Sequence, residues 1–207
     1  MAFDSDVPKA TNQIAADLTA INANWEFIDP SITTIWIPAV AMIPTVTNGA
    51  QAGTNEYATN DIMQGYFAFI KATEHYVAFS LVMPDSWNLG TIKAKFYWAP
   101  GDAACTAGDT VEWELTGVGL ANDDAIDTAT GGSQVITDTV LTGKNGDLHI
   151  TSATPAMTIS GSPAIGELIN FKVSRNIGGT DDMTEVAWLF GVRLQLTTSV
   201  SITATAW

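Results

Sequence analysis

The chain has 207 residues, of which 46% are hydrophobic and 14% charged, and its net charge is −14 with only eight Lys plus Arg. This length is enough for one sizeable core. Phosphate-binding surfaces of nucleic-acid or membrane-binding proteins need clustered cations. Lys93 and Lys95, which alternate with apolar residues, are the only close basic pair, so the sequence predicts neither nucleic acid nor membrane as a partner.

The single cysteine, Cys105, excludes an internal disulfide. Asp102 and Asp109 are the nearby charges in sequence and disfavour a thiolate, so an inert thiol is expected. The first ten residues are acidic and lack the apolar segment of a signal peptide. No apolar run has the length of a transmembrane helix. The sequence thus predicts a protein made in a cytoplasm and not exported by ordinary secretion.

One helix is predicted, beginning at Thr11 or Asn12, either of which can cap it, and ending near position 25. Its apolar residues repeat at the four-three spacing of a heptad seam: Ile14, Leu18, Ile21, Trp25 and Ile28. A helix of two heptads is marginal in water by itself and needs a partner. The partner could be other copies of the chain, another protein or the flank of the β-domain.

From Ile32 onward the apolar period changes to two, which is typical of strands. The clearest strand covers positions 91–100, with Ile92, Ala94, Phe96 and Trp98 predicted inward. The same alternation predicts that Trp113 and Trp188 point inward. Segments 47–61 and 120–133 are rich in turn formers and are predicted to be long connections.

About eight to ten strands and no internal repeat favour an all-β fold: an antiparallel two-sheet sandwich preceded by one short N-terminal α-helix. The two long connections favour a jelly roll over a simple meander, with a closed barrel as the alternative. The predicted organisation is a helical segment over 1–30, which needs a partner, and a β-sandwich domain over 31–207.

No catalytic signature accompanies the two histidines, His75 and His149. Two acidic clusters could supply glycosidase carboxylates or calcium ligands, but solvated turns are the favoured interpretation. Their members are Asp123, Asp124 and Asp127 in one cluster and Asp181, Asp182 and Glu185 in the other. We therefore predict no catalytic residue, no cofactor and no metal site.

Aromatic residues in connections are the remaining candidates for ligand contact. Trp87 in "PDSWNLG" and Tyr57 in the 47–61 segment are predicted to lie in loops, where an aromatic ring is free to meet a ligand. The 120–133 connection could contribute to the same surface.

Several stretches resemble structural proteins of tailed bacteriophages. "ATNQIAADLTAINANWEFI" resembles a segment at the N-termini of virion proteins, and "WIPAVAMIPTVTNG", "AKFYWAP" and "LTGVGLANDDAID" resemble β-domains of aquatic phages. The resemblance implies a non-enzymatic virion protein: a capsid decoration (cement) or head-fibre protein, a homotrimer bound to the major capsid protein or another virion protein. The alternative is a tail-fibre adhesin that recognises a host surface glycan. A carbohydrate-cleaving enzyme is a third hypothesis.

Overall fold

The computed structural model describes residues 31–101 and 105–198. The predicted N-terminal helix with its seam (Ile14, Leu18, Ile21, Trp25 and Ile28) and a predicted last strand over 199–207 lie outside these residues. The described part contains eleven strands and one 3₁₀ turn, Ala39–Ala41. The strands are β1 Ser31–Pro38, β2 Ile43–Pro44, β3 Gln51–Tyr57, β4 Ile62–Phe69, β5 Tyr76–Val82, β6 Trp87–Pro100, β7 Thr110–Leu120, β8 Gly131–Thr139, β9 His149–Ile150, β10 Leu168–Arg175 and β11 Ala187–Thr198.

The strands form two antiparallel sheets, which confirms the all-β class and the two-sheet arrangement. Sheet A has the order β3-β4-β11-β6-β9, and sheet B has the order β2-β5-β10-β7-β8. β1 and β4 share one edge of β11: β1 pairs with positions 191–198 and β4 with positions 187–189. Apart from the β3–β4 and β7–β8 pairs, neighbouring strands in each sheet come from distant parts of the chain, so the connections are jelly-roll-like.

The core lies between the sheets and is filled mainly by aromatic and aliphatic side chains of β6, β7, β10 and β11. The predicted inward residues of β6, Ile92, Ala94, Phe96 and Trp98, are at most 1% exposed. Trp113 of β7 is also fully buried, stacked on Phe96 and edge-on to Phe69. The alternating pattern was therefore a correct guide to these central strands.

The predicted long connection over 47–61 is wrong. Positions 51–57 form β3, which pairs with β4 in unbroken register from Gln51 opposite Ala68 to Tyr57 opposite Ile62. Backbone hydrogen bonds to β4 override the low strand propensity of its Gly, Asn and Glu residues. No residue of β3 is buried, which explains why its sequence lacks an apolar stripe. The second predicted connection is present, since only turns and bends separate β7 from β8.

Candidate functional site

Two aromatic rings stack on the outer face of sheet A, the face turned away from the core. Tyr66 of β4 and Trp188 of β11 have ring centroids 4.2 Å apart and ring planes 16° from parallel. Both side chains are half-buried, so ring atoms remain open to solvent. Offset-stacked aromatic pairs of this kind are stable, and each ring restricts the movement of the other.

Trp188 faces outward because β11 contains a β-bulge. The pairing of β11 with β6 shifts between Leu189 and Gly191, and both Leu189 and Phe190 are buried. The bulge adds one residue to the strand and reverses the alternation before it. The prediction that Trp188 lies in the core is therefore wrong, although Val192 and the inward residues after it were placed correctly.

Glycines at both ends of the stack leave room for the rings. A Cβ at position 53 would lie 2.6 Å from Cζ and Oη of Tyr66, and a Cβ at position 101 would lie 2.6 Å from Nε1 of Trp188. Real Cβ atoms do not approach ring atoms so closely, since packed atoms meet at about 3.5–4 Å. The order across the face is therefore Gly53, Tyr66, Trp188, Gly101.

A cleft of about 400 Å³ opens beside the stacked rings. Ala68, Ile70 and Val186 form its apolar part, and Gln51 and His75 contribute polar side chains. Within the described residues, nothing forms a hydrogen bond with the buried Nδ1 of His75. The cleft thus has the volume and the mixed lining of a small-ligand site.

The two residues predicted to contact a ligand lie away from this cleft. Tyr57 ends β3, on the same face as Tyr66, but four residues beyond Gly53, roughly 13 Å along the strand. Trp87 is not a loop residue: it begins β6 and is only 2% exposed. Trp87 lines a second cleft of about 420 Å³ together with Leu89 and Ile159, and nothing in the described part of the chain pairs with its indole N–H.

The second acidic cluster is structural. Asp181 is buried and receives two hydrogen bonds, of 2.7 and 2.8 Å, from the buried Arg175 guanidinium, while Lys71 lies 3.3 Å away. Arg175 also donates to the carbonyls of Phe69, Met183 and Glu185. These contacts attach the connection over 176–186 to the sandwich, and they occupy the carboxylate that would otherwise be free for chemistry.

Asp182 holds the start of β7. The amide N–H and the hydroxyl of Thr110 both donate to its carboxylate, and these hydrogen bonds lower its pKa below the ordinary value. In the first cluster, Asp124 accepts the amide N–H of Ala121 and so closes a turn. Across residues 31–101 and 105–198, no group of three or more His, Cys, Asp or Glu residues is placed to hold a metal ion.

His149 and Cys105 are both buried. His149 stacks on Trp98, with Nδ1 4.0 Å from the Asp138 carboxylate, and Trp98 donates its indole N–H to the same carboxylate at 2.8 Å. Burial raises the pKa of the Cys105 thiol, and the carboxylates of Glu185, Asp109 and Asp147 raise it further. Burial and Glu74 likewise raise the pKa of Tyr76.

No helix among the described residues is long and apolar enough to cross a membrane.

The cleft residues Tyr66, Trp188, Gln51 and His75 were not identified as a site from sequence. One signal was available: Gly191 interrupts an otherwise regular strand pattern, and an isolated glycine in a strand often marks a bulge. The position of Gln51 depends on the β3–β4 pairing, which nothing local in the sequence indicates.

No protein-family model and no curated protein matches the sequence. Several solved structures are similar in arrangement. A family 11 carbohydrate-binding module from Clostridium thermocellum, in complex with a mixed-linked β-1,3-1,4 tetrasaccharide, is 7% identical with a TM-score of 0.42, over 79% of this chain and 96% of that one. A xylan-binding domain from Paenibacillus barcinonensis is 13% identical with a TM-score of 0.43, over 76% and 92%. A carbohydrate esterase of the Shiga toxin-encoding bacteriophage phi24B is 8% identical with a TM-score of 0.36, over 81% and 100%. Similarity at this level carries no conclusion about what this chain binds.

Proposed function

We propose that this protein binds carbohydrate without cleaving it, through the cleft beside the Tyr66–Trp188 stack. The observation that carries the proposal is the combination of a fixed aromatic pair with polar side chains at one outer-face cleft. The proposal corresponds to the adhesin-type hypothesis made from sequence, and the residues that carry it are new.

The chemistry of the cleft fits a sugar ring. A pyranose has an apolar surface of C–H groups and a rim of hydroxyls. The C–H groups can pack on exposed ring atoms of Trp188 and Tyr66, since aromatic side chains offer a large, stiff apolar surface. The hydroxyls can pair with the side chains of Gln51 and His75, since amide and imidazole groups act as donors or acceptors. An open cleft that makes few contacts with its ligand gives modest affinity per site.

We further propose, from the resemblance of the sequence to phage structural proteins, that this binding takes place on a virion. In this form of the proposal, residues 1–30 attach the protein to another virion protein or join copies into a homotrimer, and residues 31–207 are displayed. Several copies on one particle would raise the avidity of a weak sugar site by orders of magnitude. The capsid decoration hypothesis requires the attachment but not the cleft, so the cleft favours the adhesin.

The test of carbohydrate binding is a glycan array probed with the purified full-length protein, followed by affinity measurements on the glycans that bind. Trp188→Ala should weaken binding roughly tenfold, the upper range for loss of one aromatic contact. Val135→Ala, on the opposite sheet, is the matched truncation and should bind like the wild type. Binding by Trp188→Ala at wild-type strength, or no bound glycan at all, contradicts the proposal.

Two further measurements separate the remaining hypotheses. Chromatography of each bound glycan after long incubation should show no cleavage products, and turnover would support the enzyme hypothesis instead. Immunogold electron microscopy of phage particles with antibody to residues 31–207 should label the tail for an adhesin and the head for a decoration protein.

A further inference from the structure

The outer face of sheet A has a charge opposite to that of the whole protein. The net charge is −14, yet the outward residues of the described strands in this sheet include three cations, Lys93, Lys95 and Arg193, and no carboxylate. Three of the eight basic residues in the chain are therefore on one side of one sheet. Such a local field attracts anions even when the net charge repels them.

The three cations are close neighbours. Arg193 of β11 is directly opposite Lys95 of β6, and Gln195 is directly opposite Lys93. Within the described segments, none of the three cations has an ion pair or a hydrogen bond. Like charges placed directly opposite on a sheet are destabilising. An arrangement that costs stability with no compensating carboxylate is typical of a functional surface.

An aromatic shelf borders the cations on the side towards the cleft. Trp36 of β1 is 47% exposed and extends over Gly191, where a Cβ would lie 2.4 Å from its ring. It meets Tyr97 edge-on, with ring centroids 4.9 Å apart. Trp36 is the strand partner of Arg193, and Tyr97 is two residues from Lys95. The aromatic surface therefore lies directly beside the cations on this face.

The shelf and the cations continue from the cleft in one line. On β6, Ala99 is opposite Trp188, Tyr97 is opposite Gly191 and Lys95 is opposite Arg193. Each two-residue step along a strand covers about 7 Å, so the line from the Trp188 ring to the cations is roughly 14 Å long. This is a suitable length for several units of an extended sugar chain.

We propose that the ligand is an anionic glycan, with one unit in the cleft, a neighbouring unit on the Trp36–Tyr97 shelf and a carboxylate or sulfate at Lys95 and Arg193. This inference rests on the proposed function, because the line of contacts begins at the Tyr66–Trp188 cleft. Arg193 can bind a carboxylate or sulfate with two N–H donors, and Lys95 and Lys93 act as point charges. Nucleic acid is the competing polyanion, and oligo-dT tests it below.

The experiment measures binding of the full-length protein to paired polymers. Polygalacturonate is compared with its carboxyl-reduced form, and dextran sulfate with dextran, so that the two arms distinguish carboxylate from sulfate. At least one anionic polymer should bind roughly tenfold more tightly than its neutral counterpart at low salt, and about 0.5 M NaCl should remove most of this preference.

Variants assign the preference to the three cations. Arg193→Gln should lose part of it, and the triple variant Lys93→Gln/Lys95→Gln/Arg193→Gln should lose nearly all of it. Lys172→Gln removes the same charge from the outer face of sheet B and should keep the preference. Binding of the neutral polymers should be unchanged in Lys172→Gln, which lies outside the proposed line of contacts.

The outcomes separate this inference from the proposed function. Neutral glycans that bind and depend on Trp188, with no preference for anionic polymers, overturn the anionic inference and leave the cleft proposal standing. If the triple variant keeps the preference for anionic polymers, the anionic inference is likewise overturned and the cleft proposal stands. Oligo-dT bound as tightly as the best anionic glycan overturns the assignment to a glycan.

Discussion

Gly53 sets the position of the Tyr66 ring, because the absence of a Cβ lets the ring lie against the β3 backbone. In Gly53→Ala, the added carbon would meet Tyr66 ring atoms at 2.6 Å, so the ring must move off its place beside Trp188. We expect glycan affinity to fall between about two- and tenfold with little loss of stability. Titration calorimetry with a bound oligosaccharide and a thermal melt measure the two effects.

The matched control is Gly178→Ala, where the added carbon would meet only Asn176 Oδ1 at 3.6 Å. This variant should keep wild-type affinity. Equal affinities for the two alanine variants would show that the Tyr66 ring position is irrelevant to binding.

Cys105 should react slowly with alkylating reagents. Its side chain is 7% exposed and its pKa is raised, first by burial, so less thiolate exists at any given pH than in a free cysteine. The rate of iodoacetamide labelling at pH 8, followed by mass spectrometry, should be far below that of the same protein unfolded in urea. Equal rates would show that the thiol is open and ionised.

Asp182 makes the free energy of unfolding depend on pH in the acid range. Its pKa is lowered in the folded state by the Thr110 amide and hydroxyl, so its contribution to stability is present above the ordinary aspartate pKa of about 3.9 and is lost as pH falls through the lowered value. Asp182→Asn should therefore lose less stability than the wild type between pH 5 and pH 3. Urea unfolding at each pH measures this, and an identical pH profile would remove Asp182 from the explanation.

The sequence predicted the direction of single side chains correctly where a regular strand continued without a bulge. The alternation placed Trp98 and Trp113 in the core, but it could not place Trp188, whose direction depends on the bulge before Gly191. The direction of Trp87 was also missed, because "PDSWNLG" contains turn formers while its tryptophan already belongs to β6. Both errors concern residues at the ends of long strands, where register and not residue type decides the direction.

At the scale of elements, Arg175 is the residue that joins β10 to the connection over 176–186. Its guanidinium is fully buried and pairs with a fully buried Asp181. Arg175→Met leaves that carboxylate with the partly exposed Lys71 as its one cation and with the amide N–H of Glu112, so we expect a loss of about 3–5 kcal/mol in the free energy of unfolding. Lys172→Met on the same strand should cost under about 1 kcal/mol. Denaturant unfolding of both variants tests the prediction, and similar losses would contradict it.

The β3–β4 hairpin shows why the cleft was not predictable as a unit. Turn-forming residues in 47–61 indicated a loop, yet the backbone of these residues completes the edge of sheet A and brings Gln51 and Gly53 to Tyr66. The register of the β3–β4 pairing sets that placement, and the pairing of β4 with the distant strand β11 brings Trp188 to Tyr66. The fold class, in contrast, follows from the period of two alone.

At the scale of the whole molecule, the attachment proposal for residues 1–30 depends on the apolar seam from Ile14 to Ile28. Ile21→Asp would place a charge in that seam, at a cost of several kcal/mol if the seam is buried. We expect loss of the oligomer in sedimentation analysis, or loss of the protein from particles. Ala16→Asp, off the seam, is the control. An unchanged oligomer together with normal incorporation of Ile21→Asp would contradict the proposal.

The pairing of β1 with β11 has a mechanical consequence. Ser31 lies opposite Thr198 and Pro38 opposite Gly191, so the chain enters the sandwich at the end of β11 that is remote from Trp188. If residues 1–30 hold the protein to a particle while a glycan holds it at Trp188, tension runs parallel to these two strands. All the hydrogen bonds between them then share the load at once, instead of opening one after another. Rupture under such shear is governed by the rate of forced opening rather than by equilibrium stability. The geometry therefore favours an attachment that stays folded and bound while flow pulls on the particle.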